Sequence, residues 1–548
     1  MRDEKTVWLP ISLVLSATAC VAFFALAVCS YQTLYAGFHW DDGFYLLMAD
    51  RYSPYTPDRS PVLQALIAQR NYPPLYPLLL AWAGGGSAQI GAAKLASTGL
   101  IVLGMLALLY WLPLLWSDAS GPLAPDARIR PAPPWMLPRT PTAVAACLLM
   151  LGFIASPAVL LHFQTLWSEH AYIAFSLCAL AAAAHAKARA TARDSSLLLA
   201  AFFVTLAALS RSAGVALVLA FALYALCQST PRRWWAVALA TAPFALERAA
   251  NAWLSTSGHS YQGHLWQMLG VADVPALLAR QIAALWQAWL QSLSFTPDTP
   301  VNGLLAGVLL VLMLGGLARR LRQGALEAWY VLAYLGLITL WPFPDQHLRF
   351  LYPLLPVLLG LGGVGLIVLM GRLRLAALQR LLPAYGLLLV VLMGLPASHT
   401  AAQRLVRPLP PALESFRFTE IMLKDPDAQS AVSVAASRLQ FIEDMQIVAR
   451  EVPPSACVLS EFPILIQLYT KRWAVLPPWR SLRDAAGAAA VCPYYYLIPI
   501  MLPATDTAAQ VAAYVRDHQV LAVSASPRDP TGREQLGILL RMNGALPR

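Results

Sequence analysis

The chain is 548 residues long; 58% of them are hydrophobic, only 12% are charged, and the formal net charge is +11. Soluble domains carry roughly twice that share of charge, so a water-soluble globule, a coiled coil and a disordered chain are excluded. The composition predicts a polytopic membrane protein, all-α in its membrane part.

Apolar runs approaching the roughly 17–25 residues needed to cross a bilayer recur along the first 400 residues. They fall near Val7–Tyr31, Gly91–Trp116, Thr142–Leu161, Ala171–Ala186, Ser196–Ser210, Val215–Cys227, Trp234–Ser255, Val301–Ala318, Ala328–Trp341, Phe350–Met370 and Leu381–Pro396. About eleven transmembrane helices are predicted. The first run is too long for a signal-peptide core of about 7–15 residues and is read as a retained helix.

With the N-terminus placed in the cytoplasm, the inside connections are 1–7, 117–140, 187–195, 231–233, 319–324 and 371–380. They hold 16 Lys+Arg in 59 residues, whereas the outside connections (32–90, 162–168, 209–213, 256–300 and 345–349) hold 6 in 121. This is the positive-inside asymmetry. The inside loops alone account for a net charge of +11, so the basic balance reports topology and implies no nucleic acid.

Residues 1–398 are read as the membrane domain, with long outside loops 32–90 and 256–300. Residues 399–548 change character, with 15 Lys+Arg and 13 Asp+Glu. Short apolar runs (Ala456–Leu459, Ala474–Leu476, Tyr494–Ile498, Val520–Val523) alternate there with helical patterns, notably Thr507–His518 behind an Asp506 cap. A small exported α/β domain is predicted. Among the seven cysteines, Cys457 and Cys492 both lie in this exported part, where a disulfide is permitted; their pairing is left open. Cys/His spacing gives no zinc site.

Chemistry-bearing residues concentrate at the outside ends of the spans. After the first span comes Phe38-His39-Trp40-Asp41-Asp42-Gly43-Phe44-Tyr45, two adjacent carboxylates among aromatic rings. Beside lipid and aromatic groups a carboxylate can serve as a general base; the alternative is an acidic loop solvating a helix end. Next, Asn71-Tyr72-Pro73-Pro74-Leu75-Tyr76-Pro77 forces an extended helix entry. Together these two segments resemble the first exported loop of class C glycosyltransferases, multi-spanning enzymes that use polyprenyl-phosphate sugars. The likeness is to bacterial family 39-like members and to transferases that decorate lipopolysaccharide cores. Trp167-Ser168-Glu169, Leu209-Ser210-Arg211-Ser212-Ala213-Gly214, Arg349-Phe350-Leu351-Tyr352-Pro353-Leu354-Leu355-Pro356 and Leu468-Tyr469-Thr470-Lys471-Arg472 are similar to further family segments, in order. Two departures are Asp41-Asp42 for the usual Asp-Glu and Lys471 for a tail glycine.

The resemblance implies transfer of a sugar from a polyprenyl-phosphate donor to an envelope glycan, lipid or protein acceptor, at the outer face of the cytoplasmic membrane, with inversion. It implies Asp41 as general base and Asp42 as an orienting carboxylate; Glu169 would complete an acidic site, or else serve only as a helix N-terminal acid. Arg349, His347 and Arg211, cations at outside helix ends, would bind the donor phosphate; Arg211 has the alternative of pairing with a carboxylate. Trp40, Tyr45, Tyr72 and Tyr76 would line the substrate. Glu247 and Arg248, inside the seventh span, are read as a polar pair. No cofactor is required; Asp41, Asp42 and Glu169 are oxygen ligands that a divalent metal would accept. The competing classes are a transporter or lipid flippase and a non-catalytic scaffold. A transporter would place charges at mid-membrane within repeated halves; here the polar candidates cluster at the outside ends and no repeat is apparent.

Overall fold

In a computed structural model of the protein, the described residues are 35–60, 72–120, 141–188, 193–254, 274–296, 298–341, 343–373, 378–424, 428–477, 492–502, 506–525 and 535–543, with a few isolated positions besides. Apart from such positions the expected first span lies outside them, as do Asn71, most of the inside loop 117–140 and 255–273 of the second long outside loop. The chain divides into two compact units. One comprises Met1–Ser30, Ala68–Tyr76 and Lys94–Gln403, the other Tyr31–Ile67, Pro77–Ala93 and Arg404–Arg548. The boundary expected at 398 falls near the division at Arg404, while much of the outside loop 32–90 groups with the tail.

The membrane unit is helical. Among the described residues, five helices are long and apolar enough to cross a membrane: Ile90–Ala119, Glu169–Ala188, Pro300–Arg322, Leu355–Arg372 and Leu381–Leu405. Of the other predicted spans, the first lies outside the described residues, Trp234–Ser255 forms the 22-residue helix Arg233–Leu254, which is not among these five, and the rest are shorter or interrupted, so the count of eleven is not confirmed. The reasons are local. Thr142–Leu161 is cut into Pro141–Ile154 and Pro157–His162, where Pro157 opens a new helix and the Ser156 hydroxyl caps Val159 N. Arg211 and a single 3₁₀ turn, Ser212–Gly214, separate Arg193–Ser210 from Val215–Leu226. A 20-residue helix, Val274–Leu293, occupies part of what reads as outside loop 256–300.

Packing within this unit relies on small residues where helices meet. A Cβ built on Gly316 would lie 2.0 Å from the Leu361 carbonyl oxygen, and one on Gly365 would lie 1.8 Å from that of Leu312. The helices Pro300–Arg322 and Leu355–Arg372 therefore touch backbone to backbone. Gly316→Leu should force them apart and cost about 1–3 kcal/mol or more. Gly303→Leu, with nothing within 4 Å of its Cβ position, should be far milder. Thermal melts of the two purified variants check the contrast; equal melting would show that the contact does not hold the bundle.

Two ionic groups lie at opposite ends of the predicted topology. Lys187 Nζ meets Asp118 Oδ2 at 2.7 Å, Arg320 also pairs with Asp118, and Arg320 Nε meets Glu327 Oε1 at 2.5 Å. Asp118, Lys187 and Arg320 come from three different predicted inside connections. Glu169, Arg211 and Arg349, which adjoin three outside connections, form the other group. The alternation of sides read from the charges is thus matched by which residues meet.

The tail unit contains a five-stranded mixed sheet in the order β2-β1-β3-β5-β4. Its strands are β1 Cys457–Ser460, β2 Trp473–Val475, β3 Tyr494–Leu497, β4 Gln519–Ala525 and β5 Gln535–Arg541. β1 pairs in parallel with β2 and β3, and β5 antiparallel with β3 and β4. Both faces are covered. Val458, Tyr494 and Tyr496 pack with Phe441, Met445 and Val448 of helix Ala428–Glu451, and with Leu465 and Ile466 of helix Pro463–Thr470. Leu459, Tyr495 and Leu497 point to the other face, where Val511, Tyr514 and Val515 of helix Ala508–Arg516 join them. This double burial explains why β1 and β3 read as apolar runs without clean alternation; β4, at the sheet edge, keeps Val520 and Val523 exposed. The small α/β fold is as expected, with two corrections: β5 is an additional strand, and the last helix is capped by Thr507 in a capping box with Gln510, not by Asp506. Cys457 and Cys492 are joined, closing a loop of 35 residues.

Candidate active site

The acidic segment belongs to the tail unit. Helix Asp41–Tyr52 buries Asp42 through Ala49, and its Gly43 abuts Ile464 of helix Pro463–Thr470, 2.9 Å from where a Cβ would stand. Only glycine fits so close an approach. Immediately before this helix the chain makes a tight γ-turn. Trp40 has φ 55° and ψ −61°, and Asp41 N donates to His39 O at 2.5 Å. Positive φ at a bulky residue is rare, and such a turn is strained, by about 1–3 kcal/mol.

The two carboxylates differ. Asp42 is 5% exposed; its Oδ1 accepts from Gly43 N at 2.7 Å and His39 N at 3.3 Å. Burial raises its pKa above the ordinary value, opposed by the His39 charge and by backbone amides. Asp41, at the turn's exit, is only half-buried. His39 Nε2 meets Glu420 Oε1 at 2.8 Å, and Arg438 Nη1 meets the same oxygen at 3.1 Å. Burial disfavours the His39 imidazolium, yet Glu420's charge and hydrogen bond, with Asp42, outweigh it and raise the pKa. Glu420 is held well below the usual carboxylate range: burial opposes this, but His39 and Arg438 prevail.

In the membrane unit, Glu169 is the first residue of its helix and is fully buried. Arg211 Nη1 reaches Glu169 Oε2 at 2.6 Å, while Arg349 Nε bonds Oε1. Arg349 also lies over the Trp167 ring, 3.3 Å from its centroid, and Arg211 over Phe350 at 4.8 Å. Three sequence-distant candidates thus come together as one carboxylate between two guanidiniums. His347, on the same short helix as Arg349, is buried. Tyr76 is fully buried, its hydroxyl 2.9 Å from Ser97 Oγ, which lies 2.6 Å from His170 Nδ1. Tyr45 is 3% exposed; Trp40 and Tyr72 keep partly exposed surface. Glu247 and Arg248 pair with each other, Arg248 Nη2 to Glu247 Oε1 at 2.6 Å.

Lys471, which stands where the resembling segment has glycine, is the left-handed cap of helix Pro463–Thr470, with φ 57°. Glycine is free in that conformation. Lys471 adopts it and uses its side chain: Nζ bonds Asp50 and, at 2.6 Å, Ser87 Oγ. His39, Glu420, Arg438 and the Ser97–His170 pair that Tyr76 joins were not singled out as site residues in the sequence. Nothing in spacing could reveal His39 and Glu420, which stand 381 positions apart. Among the described residues no group of three His, Cys, Asp or Glu is arranged to hold a metal ion.

No family profile and no curated protein sequence matches the chain. Among solved structures, it is similar to ArnT from Cupriavidus metallidurans, at 14% identity and TM-score 0.49, over 98% of this chain and 99% of that one. It is also similar to the oligosaccharyltransferase AglB from Archaeoglobus fulgidus, in complex with an inhibitory peptide and a dolichol-phosphate, at 12% identity and TM-score 0.44, over 96% of this chain and 75% of that one. A third likeness is to the arabinofuranosyltransferase AftD from Mycobacteria, at 13% identity and TM-score 0.44, over 97% of this chain but 40% of that one.

Proposed function

We propose that the protein is a class C membrane glycosyltransferase that transfers a sugar from a polyprenyl-phosphate donor to an envelope acceptor (glycan, lipid or protein) with inversion. The observation that carries the reading is the division of labour at the acidic turn: Asp42 is tied to backbone amides, while its neighbour Asp41 stands half-exposed on a strained turn. Asp41 takes the proton of the acceptor hydroxyl or amine as that atom bonds to the anomeric carbon. The bond from that carbon to the phosphate oxygen breaks, and the polyprenyl phosphate leaves with the electron pair. Arg349 and Arg211, both held by Glu169, receive the phosphate. Glu169 acts by orienting the two guanidiniums, a narrower role than that of an acidic catalyst. Trp40 and Tyr72 offer the sugar an aromatic surface.

The reaction needs no cofactor. We place the N-terminus in the cytoplasm and the tail outside, the arrangement that the loop charges favour; reporter fusions after Gly43, Pro131, Gly263 and Thr400 test this. Glu169 at a helix start, Arg211 between helices and Arg349 on a five-residue helix all favour chemistry at span ends over a mid-membrane transport path. The test is transfer in proteoliposomes, supplied with one synthetic polyprenyl-phosphate sugar at a time and an envelope glycolipid extract. Wild type should consume one donor, in the presence of EDTA as well as without it. Consumption of none would refute the reading.

A further inference from the structure

We propose that Glu420, in the tail, is a positioning residue for the acidic turn: through His39 it holds the positive-φ turn at Trp40 and so aims Asp41. This rests on the transferase reading of Asp41 given above.

A strained backbone conformation persists only where its surroundings over-determine it, and here both sides of Trp40 are gripped. Downstream, Asp42 Oδ1 binds the amides of His39 and Gly43. Upstream, the His39 side chain is bound to Glu420 at 2.8 Å. Arg438 binds the same Glu420 oxygen at 3.1 Å and lays its guanidinium over Phe38, 4.9 Å from the ring centroid. One Glu–Arg pair therefore holds both residues that lead into the turn. Other tail contacts attach the chain further upstream: Tyr35 Oη to Ser415 Oγ at 2.6 Å, the Tyr35 and Phe416 rings stacked at 3.7 Å, and Tyr469 Oη donating to Ala36 O at 3.1 Å. These secure the segment but do not reach the turn.

The grip is sensitive to charge. Glu420 and Asp42 favour the imidazolium of His39, and Arg438 opposes it. Because the His39 pKa is raised, the charge-assisted bond is fully present below the ordinary histidine value of about 6.5. It is lost as pH rises through the higher value in the folded protein. Glu420 stays ionised throughout this window.

The experiment is the pH–rate profile of the full-length protein in proteoliposomes, with deuterium exchange over 36–43 measured in parallel. Wild type should show an upper inflection above pH ~6.5. Glu420→Gln should move that inflection to lower pH and lower kcat about 10–100-fold, leaving the donor KM within about twofold. It should also speed exchange at Trp40–Gly43. His39→Gln should abolish the inflection, and Glu420→Asp, which keeps the charge, should restore much of kcat. An E420Q profile and kcat matching wild type, or a change confined to KM, would overturn the proposal. If the wild type transfers no sugar from any polyprenyl phosphate, the transferase reading fails by itself and exchange decides. Faster exchange in E420Q then upholds the grip, and unchanged exchange removes it.

Discussion

Asp41→Asn should lower turnover about 10²–10⁴-fold, the loss typical when a positioned general base is removed. The amide keeps the shape of the carboxylate and removes the oxygen that accepts the acceptor's proton, so insertion and donor binding should survive. Asp42→Asn should be milder. Its Oδ1 serves as an acceptor for the amides of Gly43 and His39, and an asparagine oxygen can take both bonds. Initial rates and donor-lipid titrations on correctly inserted protein check the pair. Asp41→Asn turnover within a factor of two of wild type, or a larger loss at Asp42, would overturn the assignment.

The second large effect is expected at Glu169. This fully buried carboxylate separates the guanidiniums of Arg211 and Arg349. Removing one partner of a buried ion pair costs about 3–5 kcal/mol, and Glu169→Gln takes the carboxylate from two guanidiniums at once. It should sharply lower the melting temperature or the yield of folded protein. Arg349→Ala removes a cation while Glu169 retains Arg211, so the fold should survive. The donor phosphate would lose a partner, and turnover should fall about 10²–10³-fold with a higher donor KM. Arg349→Lys should rescue little, because a lysine cannot reproduce the flat stacking on Trp167. Thermal melts and donor titrations separate the two effects. A Glu169→Gln protein as stable as wild type would contradict the buried-charge account.

Much of this was legible in the sequence where local signals suffice. The candidates Glu169, Arg211 and Arg349 were visible as ionic residues at predicted outside helix ends, whereas the grouping of Asp118, Lys187, Arg320 and Glu327 was not anticipated. Four strands were visible as apolar runs: β1 and β3 because the sheet is buried on both faces there, β2 and β4, at the sheet edges, from composition alone. Helix Val274–Leu293 was read as loop because Arg280, Gln281, Gln287 and Gln291 interrupt its apolar run. β5 escaped because Gly537 divides it. The difference between Asp41 and Asp42 was stated only through a resemblance; its physical basis, the turn at Trp40, depends on backbone geometry that composition does not encode. The Glu420–His39 bond is a long-range contact between residues with ordinary local neighbours, and no periodicity points to it.

The account's central claim is that this chain adds a sugar to an envelope molecule. Mass spectrometry of envelope glycolipids and glycans, from cells with the wild-type protein, without it, and with only the Asp41→Asn form, tests it most directly. The account predicts one species shortened by a single hexose, pentose or aminosugar in the second and third strains, restored by the wild-type protein. Identical profiles in all three strains, or full restoration by Asp41→Asn, would contradict it.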